Sequence, residues 1–431
     1  MGRGGLGDPR LRPRPRSAQR RDRAPRRRRR ARAARPWRAR AARRRAQLAP
    51  HRRGPRGPAR AGELSVRVGV VTKWFNRGQP VVGRQLRSAL DQLGHETFVL
   101  ARPKKERGPR PGALDRDDVW DQPGITEASA YDVPATEYAR WVTENGIEAI
   151  FCDQNYQFAE LAALRRSGVR TIGRFVWEHF AAEHVDGARE AFDLVYSLTG
   201  AEQERYRGLG LETPYVPWGC HPELLAVARK VRGADPPSPS QVTFVFPGGF
   251  LGHRKPLEPV LEAFSRVRDE RLRLVVKAQV ERKQVRPAEE AARRDPRIEV
   301  RVADQPTAEH LREFAACDVC LAPARWEGLG LPLYEAIAFG MPAITNDAPP
   351  MNEAVHDGVN GLLVESRANG TARSGIPALD PDLAGLASAI ERLADDEVRA
   401  TLAAGSVRVR DTERRWDATV RGFGELLERV A

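Results

Sequence analysis

Val66-Arg-Val-Gly-Val-Val71 is a short, nearly continuous apolar run rich in β-branched residues, the pattern of a parallel strand covered on both faces. A polar, glycine-containing loop follows (Asn76-Arg-Gly-Gln79). Val82, Leu86, Leu90 and Leu93 then recur at helical spacing, and Gly94 stands where a helix would stop. His95-Glu-Thr-Phe-Val-Leu100 reads as the next strand. Strand, helix and strand in this order predict a βαβ unit and place the chain in the α/β class.

The pattern continues outward. Residues 102–133 are polar and rich in Pro, Gly and Asp, and read as a long loop or insertion. A helix over 135–145, a strand at Glu148–Cys152, a helix near 157–167 and strands at Arg170–Val176 and Leu194–Leu198 follow. Lys230-Val-Arg-Gly-Ala-Asp-Pro-Pro-Ser-Pro-Ser240 has the composition of a linker. A second α/β series then opens with Val242–Phe246 and a Gly248-Gly249 turn, with further strands at Leu272–Lys277, Ile298–Val302, Val319–Ala322 and Pro342–Thr345. Two doubly wound domains of similar size place the natural ligand site in the cleft between them, where strand C-termini and helix N-termini face each other.

Charge is unevenly distributed along the 431 residues. Residues 1–62 carry 24 Arg and no Lys against only Asp8 and Asp22, a net +22, which leaves −7 on the remainder of a chain whose total is +15. This Arg/Pro/Ala/Gly-rich leader lacks the apolar periodicity needed to offset chain entropy and is expected to be disordered. It could hold nucleic acid or an anionic membrane surface, act as an Arg-rich targeting peptide, or be upstream sequence from a mis-assigned start near Val66. Arginine without a single lysine favours the last, so a nucleic-acid partner is not expected. No apolar run approaches the ~18 to 20 residues of a membrane-spanning helix. The expectation is a cytoplasmic protein, at most peripheral at the inner membrane face.

Four cysteines are too few for a disulfide framework. Cys317-Asp-Val-Cys320 has redox or zinc spacing, yet no second Cys/His pair lies near it, and two small buried residues at a strand start is the preferred reading. Asp115-Arg-Asp117 has a metal-binding spacing but stands in a Pro-rich insertion, where chance accounts for it.

The chemistry concentrates in Ala324-Arg-Trp-Glu327-Gly-Leu-Gly-Leu-Pro-Leu-Tyr-Glu335-Ala-Ile-Ala-Phe-Gly-Met-Pro-Ala-Ile-Thr-Asn346. It follows a strand and feeds a helix. Gly328 and Gly330 let backbone amides approach a ligand, Pro332 suits a first helical turn, and such a helix start binds phosphate through its free N–H groups. Glu327 and Glu335 can accept hydrogen bonds from two different hydroxyls of one ligand. A phosphate site flanked by two carboxylates suits a sugar nucleotide. Upstream, Phe246-Pro-Gly-Gly-Phe-Leu-Gly-His-Arg254-Lys255 places paired cations in a strand-to-helix loop, as a diphosphate leaving group requires.

These segments resemble glycosyltransferase family 4, the group 1 transferases, through the E-x7-E pair Glu327 and Glu335 and the Glu-Gly-Leu-Gly-Leu-Pro around it. Gly340-Met-Pro-Ala-Ile-Thr, Asn346-Asp-Ala-Pro-Pro-Met-Asn-Glu353 and Asp357-Gly-Val-Asn-Gly-Leu-Leu-Val364 match as well. The resemblance implies the GT-B fold. It divides the chain into a Rossmann-like acceptor domain over 63–229, a linker at 230–240, a Rossmann-like nucleotide-sugar domain over 241–405, and a C-terminal helix over 406–431 packing back on the first domain. It further implies a retaining, metal-independent transfer from a nucleoside diphosphate sugar to a sugar, lipid-linked or small-molecule acceptor, without a cofactor. Glu335 should hold the ribose, and Glu327 the transferred sugar near its reacting face. Lys255 should bind the diphosphate, with Arg254 replacing the arginine that the family usually has where Phe250 stands. Gly328, Leu329 and Gly330 should supply amides, and Asn352 and Glu353 further donor contacts. His179, in Phe175-Val-Trp-Glu178-His179, should meet the sugar or the acceptor, with Glu178 as an alternative. His221 stands where the family has an aspartate, and no role is assigned to it. A sugar-nucleotide epimerase of the same fold, an inactive sugar-binding relative and a nucleic-acid-binding protein are the rival readings.

Overall fold

The computed structural model describes residues 65–103, 114–233, 240–279 and 282–431. The leader expected at 1–62 and the middle of the 102–133 segment lie outside the described residues. The first half runs β1 (Arg67–Thr72), α1 (Gly78–Gln92), β2 (Glu96–Ala101), β3 (Ile125–Glu127), α2 (Ala135–Asn145), β4 (Ala149–Asp153), α3 (Phe158–Arg166), β5 (Arg170–Arg174), α4 (Val185–Ala191), β6 (Leu194–Val195), α5 (Gly200–Gly208) and α6 (Pro222–Arg232). The second half runs β7 (Val242–Gly249), α7 (Leu257–Arg266), β8 (Leu272–Ala278), α8 (Arg282–Arg294), β9 (Ile298–Val302), α9 (Thr307–Ala315), β10 (Val319–Leu321), α10 (Leu331–Ala338), β11 (Ala343–Asn346), α11 (Met351–Ala354), β12 (Gly361–Val364), β13 (Ser366–Thr371), β14 (Pro377–Pro381), α12 (Leu383–Ala394), α13 (Asp396–Thr412) and α14 (Trp416–Val430).

Each half is built on a six-stranded sheet, ordered β3-β2-β1-β4-β5-β6 in the first and β12-β11-β10-β7-β8-β9 in the second. Every pairing within these sheets is parallel. The two orders are the same doubly wound pattern, as the repeated strand–helix alternation required. Helices cover both faces, which is why β4 and β10 are buried along their whole length. Strand order reverses between β1 and β4 and again between β7 and β10, so the loops after these four strands open onto crevices able to take a ligand.

The last helix belongs with the first sheet. On α14, Phe423 packs edge-on against Phe151 and Tyr196, and Thr419 Oγ1 accepts from the Gly219 amide at 2.8 Å while donating to the Pro217 carbonyl at 2.7 Å. The 406–431 segment is two helical pieces, the end of α13 and α14, because the chain turns at Glu413–Arg415. Lys230–Arg232, expected in the linker, form the last turn of α6. The 102–133 segment is also more than a loop: β3 adds a short edge strand parallel to β2. The antiparallel β13–β14 hairpin has no counterpart in the sequence pattern, since β13 is almost wholly exposed and carries no apolar alternation.

The halves are bridged at several points. Asn76 Nδ2 donates to the Gln305 carbonyl at 2.8 Å, and Arg77 pairs with both oxygens of Asp304 at 2.8 and 2.9 Å. Trp120 Nε1 donates to Thr307 Oγ1 at 3.1 Å. Asp115, half of the D-x-D spacing, accepts from the Asn76 amide at 2.7 Å and so braces this bridging loop. Cys317 and Cys320 are buried and unbridged, and burial pushes the Cys317 thiol up to about 12, leaving it an inert core group.

Candidate active site

A cleft of about 1100 Å³ lies between the two sheets. Its floor on the second half is the loop that leaves β10. Asn346 on β11 pins this loop by donating to the carbonyls of Ala324 at 3.0 Å and Leu379 at 2.8 Å. Gly330 adopts φ +79° at the start of α10, with Pro332 in the first turn, so the chain swings from the loop into the helix without steric penalty. Gly328 is required for another reason: a Cβ there would stand 2.7 Å from Val176 of the first half. The amides of Gly328, Leu329 and Gly330 have no hydrogen-bond partner among the described residues, and they line the cleft where the α10 dipole is positive.

Glu327 is buried, at 6% exposure. Lys255 Nζ donates to its Oε1 at 2.6 Å, and Arg254 Nη1 stands 3.4 Å from its Oε2. Burial alone would raise the pKa of Glu327, but Arg254 and Lys255 outweigh it and hold the carboxyl below its usual range. Both cations reach this point because the loop after β7 folds tightly, with Gly249 at φ +53° and Leu251 at φ +43°. Arg254 also approaches Glu178 Oε1 at 3.7 Å, and His179 Nε2 stands 3.6 Å from the same oxygen. Trp177 crosses the cleft to donate from Nε1 to the Glu327 carbonyl at 2.6 Å. The Phe175–His179 stretch and the glutamate loop are therefore one assembly.

Glu335 lies one turn into α10, half-buried and facing the same cleft. Its carboxylate has no hydrogen-bond or ion-pair partner among the described residues. Burial, with Glu223 adding and Lys277 opposing, pushes its pKa up to about 7. Lys277, at the end of β8, donates to Gln305 Oε1 at 3.0 Å and also pairs with Glu313. An unpartnered carboxylate at this place is an acceptor waiting for donors from outside the protein.

Of the residues singled out in the sequence, Glu327, Gly328, Leu329, Gly330, Glu335, Arg254, Lys255, Glu178 and His179 all line this cleft. Arg254 stands beside Lys255 over Glu327, while Phe250 is exposed with the Arg77 guanidinium over its ring. Asn352 and Glu353 do not reach the cleft. Asn352 Nδ2 donates to Asp347, and the Glu353 carboxylate accepts from the amides of Gly200 and Ala201 at 2.7 and 2.8 Å, closing the N-terminus of α5 from across the molecule. A glutamate beside a glycine-rich block reads as a ligand contact in one dimension, and only the fold shows the helix start that it caps. His221 is structural: it bonds Ser88, packs on Trp416, and burial pushes its pKa down to about 3. Sequence reasoning passed over Lys73, Trp177 and Lys277. Lys73 follows β1, a strand that borders a reversal point, which is the signal that could have found it; Lys277 stands at the end of β8, the neighbouring strand of β7. Among the described residues no group of three or more His, Cys, Asp or Glu side chains is arranged to hold a metal.

Residues 241–396 match the family model of the group 1 glycosyl transferases. A 51-residue stretch is 43% identical to an uncharacterized 41.2 kDa protein of the cps region of Klebsiella pneumoniae, covering 12% of this chain and 14% of that protein. Among solved structures, sucrose-phosphate synthase from Thermosynechococcus elongatus superimposes with a TM-score of 0.64 at 17% identity, covering 84% of this chain and 98% of the other. HepE of Anabaena, solved with UDP and glucose, gives 0.63 at 15% identity, covering 84% and 99%. An α,α-trehalose-phosphate synthase (UDP-forming) from Burkholderia vietnamiensis gives 0.59 at 14%, covering 84% and 100%. The fold is thus GT-B. Within the second half of the chain, residues 241–396 carry the match to the group 1 glycosyl transferase domain.

Proposed function

We propose that this protein transfers a sugar from a nucleoside diphosphate sugar to an acceptor hydroxyl, with retention of configuration and without a metal. The observation that carries the reading is the convergence in one cleft of Lys255, Arg254, three free amides at the start of α10 and the unpartnered Glu335. Glu335 would accept the ribose hydroxyls, and the amides with Lys255 and Arg254 would hold the diphosphate. As the bond from the anomeric carbon to the phosphate oxygen breaks, negative charge grows on that oxygen, next to two cations and a helix start. The acceptor oxygen bonds the same carbon, and its proton passes to the departing phosphate. Lys255 and Arg254 both pair with Glu327, so Glu327 would orient the cations before the donor arrives and face the transferred sugar afterwards. Two fixed cations where the leaving group would lie support the metal-independent reading. The acceptor is a glycan, a lipid-linked sugar or a small molecule. A lipid-linked acceptor would be met by peripheral contact at the inner membrane face; no helix among the described residues is long and apolar enough to cross a membrane.

The test is nucleoside diphosphate release by the full-length chain from a panel of UDP-, GDP- and ADP-sugars, beside a Lys255→Ala variant. Release from one donor that the variant loses is the expected result. No release and no thermal stabilisation by any donor would overturn the assignment, and a changed nucleotide-linked sugar without acceptor would point to an epimerase.

A further inference from the structure

The cleft extends past Glu178, away from Glu335, into an end lined by Lys73, Tyr131, Tyr156, His179 and Arg373. Lys73 leaves the end of β1, largely buried. Its ammonium donates to Gln79 Oε1 at 3.2 Å and lies 5.6 Å from the centre of the Tyr131 ring. It has no carboxylate partner among the described residues: Asp153, the acid nearest in effect, is committed to Arg174 at 3.1 Å, which also reaches Glu202 at 3.3 Å. Burial lowers the pKa of Lys73, Asp153 opposes this, and Arg102 adds to it, so the charge there is under-compensated.

Arg373 comes from the other half of the molecule. It sits at the turn of the β13–β14 hairpin, without a hydrogen-bond or ion-pair partner among the described residues, and it lines the same end. The turn is tied to the first half by Arg205, whose Nη2 donates to the Ser374 carbonyl at 2.5 Å. Lys73, Arg254 and Arg373 all act on His179, which burial first and these cations next hold below its ordinary pKa despite Glu178. The acids nearby do not neutralise this end. Glu178 is taken by Arg254 and His179, and Glu183 is exposed at the rim.

We propose that this end of the cleft is an acceptor subsite selective for acceptors carrying an anionic group, phosphate or carboxylate, with Lys73 and Arg373 as its counter-charges. The proposal rests on the transferase reading above. Two cations with no counter-carboxylate, one of them mostly buried, are stabilised by a ligand anion and gain nothing from a neutral sugar. The location suits an acceptor, since Glu178 touches both Arg254 of the donor wall and His179 of this end.

The experiment uses the full-length chain, loaded with the nucleoside diphosphate that stabilises it most, so that the donor cations are already occupied. Glucose, glucose 6-phosphate, glucuronate and sulfate are then titrated at constant ionic strength, with thermal stability as the readout. The expected result is a rise in Tm with a charged sugar, none with glucose and none with sulfate alone. The phosphate and carboxylate arms distinguish the two sources of charge. Arg373→Ala should weaken charged-sugar binding at least roughly tenfold with nucleotide binding unchanged, Arg373→Lys should restore part of it, and Lys73→Met should act in the same direction. Glucose binding as tightly as its charged forms, no response to either charged sugar, or charged-sugar binding indifferent to Arg373→Ala and Lys73→Met would overturn the proposal. Failure of every nucleoside diphosphate to stabilise the protein would instead sink the transferase reading.

Discussion

On the second sheet's side of the cleft, the working groups come from two short stretches, residues 247–255 and 324–335, each a loop leaving a strand at the point where sheet order reverses. On the first sheet's side, Lys73, Tyr131, Tyr156 and His179 come from four separate loops, and Arg373 is borrowed from the opposite half. On the second sheet's side the two cations Arg254 and Lys255 are already paired with Glu327, and only Glu335 is left unpartnered; on the other side Lys73 and Arg373 have no carboxylate partner among the described residues. On the transferase reading proposed above, the difference follows from what each must bind. A diphosphate has fixed geometry and charge, and one rigid loop–helix unit can match it. An acceptor is recognised by whichever side chains the variable loops bring to the opening.

The largest effect expected from breaking the donor wall is that of Lys255→Ala. Loss of a preorganised cation at the leaving group should lower kcat for donor turnover by 10²-fold or more, about 3 kcal/mol. It also leaves Glu327 buried with Arg254 alone, and removing one partner of a buried pair costs roughly 3–5 kcal/mol of stability. The double variant Lys255→Met/Glu327→Gln should recover much of the stability and none of the activity. Steady-state kinetics and thermal melts separate the two effects, and recovery of activity in the double variant would refute the leaving-group role.

Gly328→Ala tests how closely the walls must approach. Its Cβ would meet Val176 at 2.7 Å, so a loss of roughly 1–3 kcal/mol is expected, with partial rescue by Val176→Ala in the same melts. An unchanged Tm would show that the halves do not rest against each other here.

Glu335 gives a pH signature that the paired Glu327 lacks. Its folded-state pKa of about 7 lies above the ordinary 4.5. The folded protein therefore holds the proton more tightly than the unfolded chain. The corresponding stability is present in full below about pH 4.5 and is lost as pH rises through 7. Glu335→Gln should be more stable than the parent at pH 8, by roughly 1–3 kcal/mol, and close to it at pH 4. It should bind nucleoside diphosphate roughly tenfold more weakly at pH 8, because the ionised carboxylate is the better hydroxyl acceptor. Parallel melts and binding titrations at both pH values check this, and a stability difference that shrinks as pH rises would contradict it.

The smallest effect is expected from Glu353→Ala, which removes two hydrogen bonds from the start of α5. A loss of about 0.5–2 kcal/mol with donor binding unaffected would confirm a capping role. A large loss of donor affinity would return Glu353 to the binding site.

How much of the site was legible depends on how local its parts are. The two doubly wound halves could be read from alternating strand and helix patterns, because each strand is buried on both faces and each helix shows its apolar stripe. Glu327, Glu335, Arg254 and Lys255 could be read because each sits in, or one helical turn beyond, a loop whose glycines and prolines announce its shape. Lys73 was overlooked although it directly follows a readable strand. Arg373 gave no signal, since β13 faces solvent and its residues alternate in nothing. Glu353 misled, because a carboxylate close in sequence to the donor block is turned by β11 and α11 toward a helix start in the other half.

The sequence by itself determined the fold class and its two doubly wound halves, and it singled out the loops that line the cleft, because these depend on periodicities and turn residues a few positions apart. Only the tertiary structure decided which carboxylates remain free and which are spent on cations or helix ends, and which cations converge on the far end of the cleft. Those are matters of a few ångströms between residues separated by a hundred or more positions. Electrostatic energy at such distances is set by where the chain returns to itself, which no local pattern encodes.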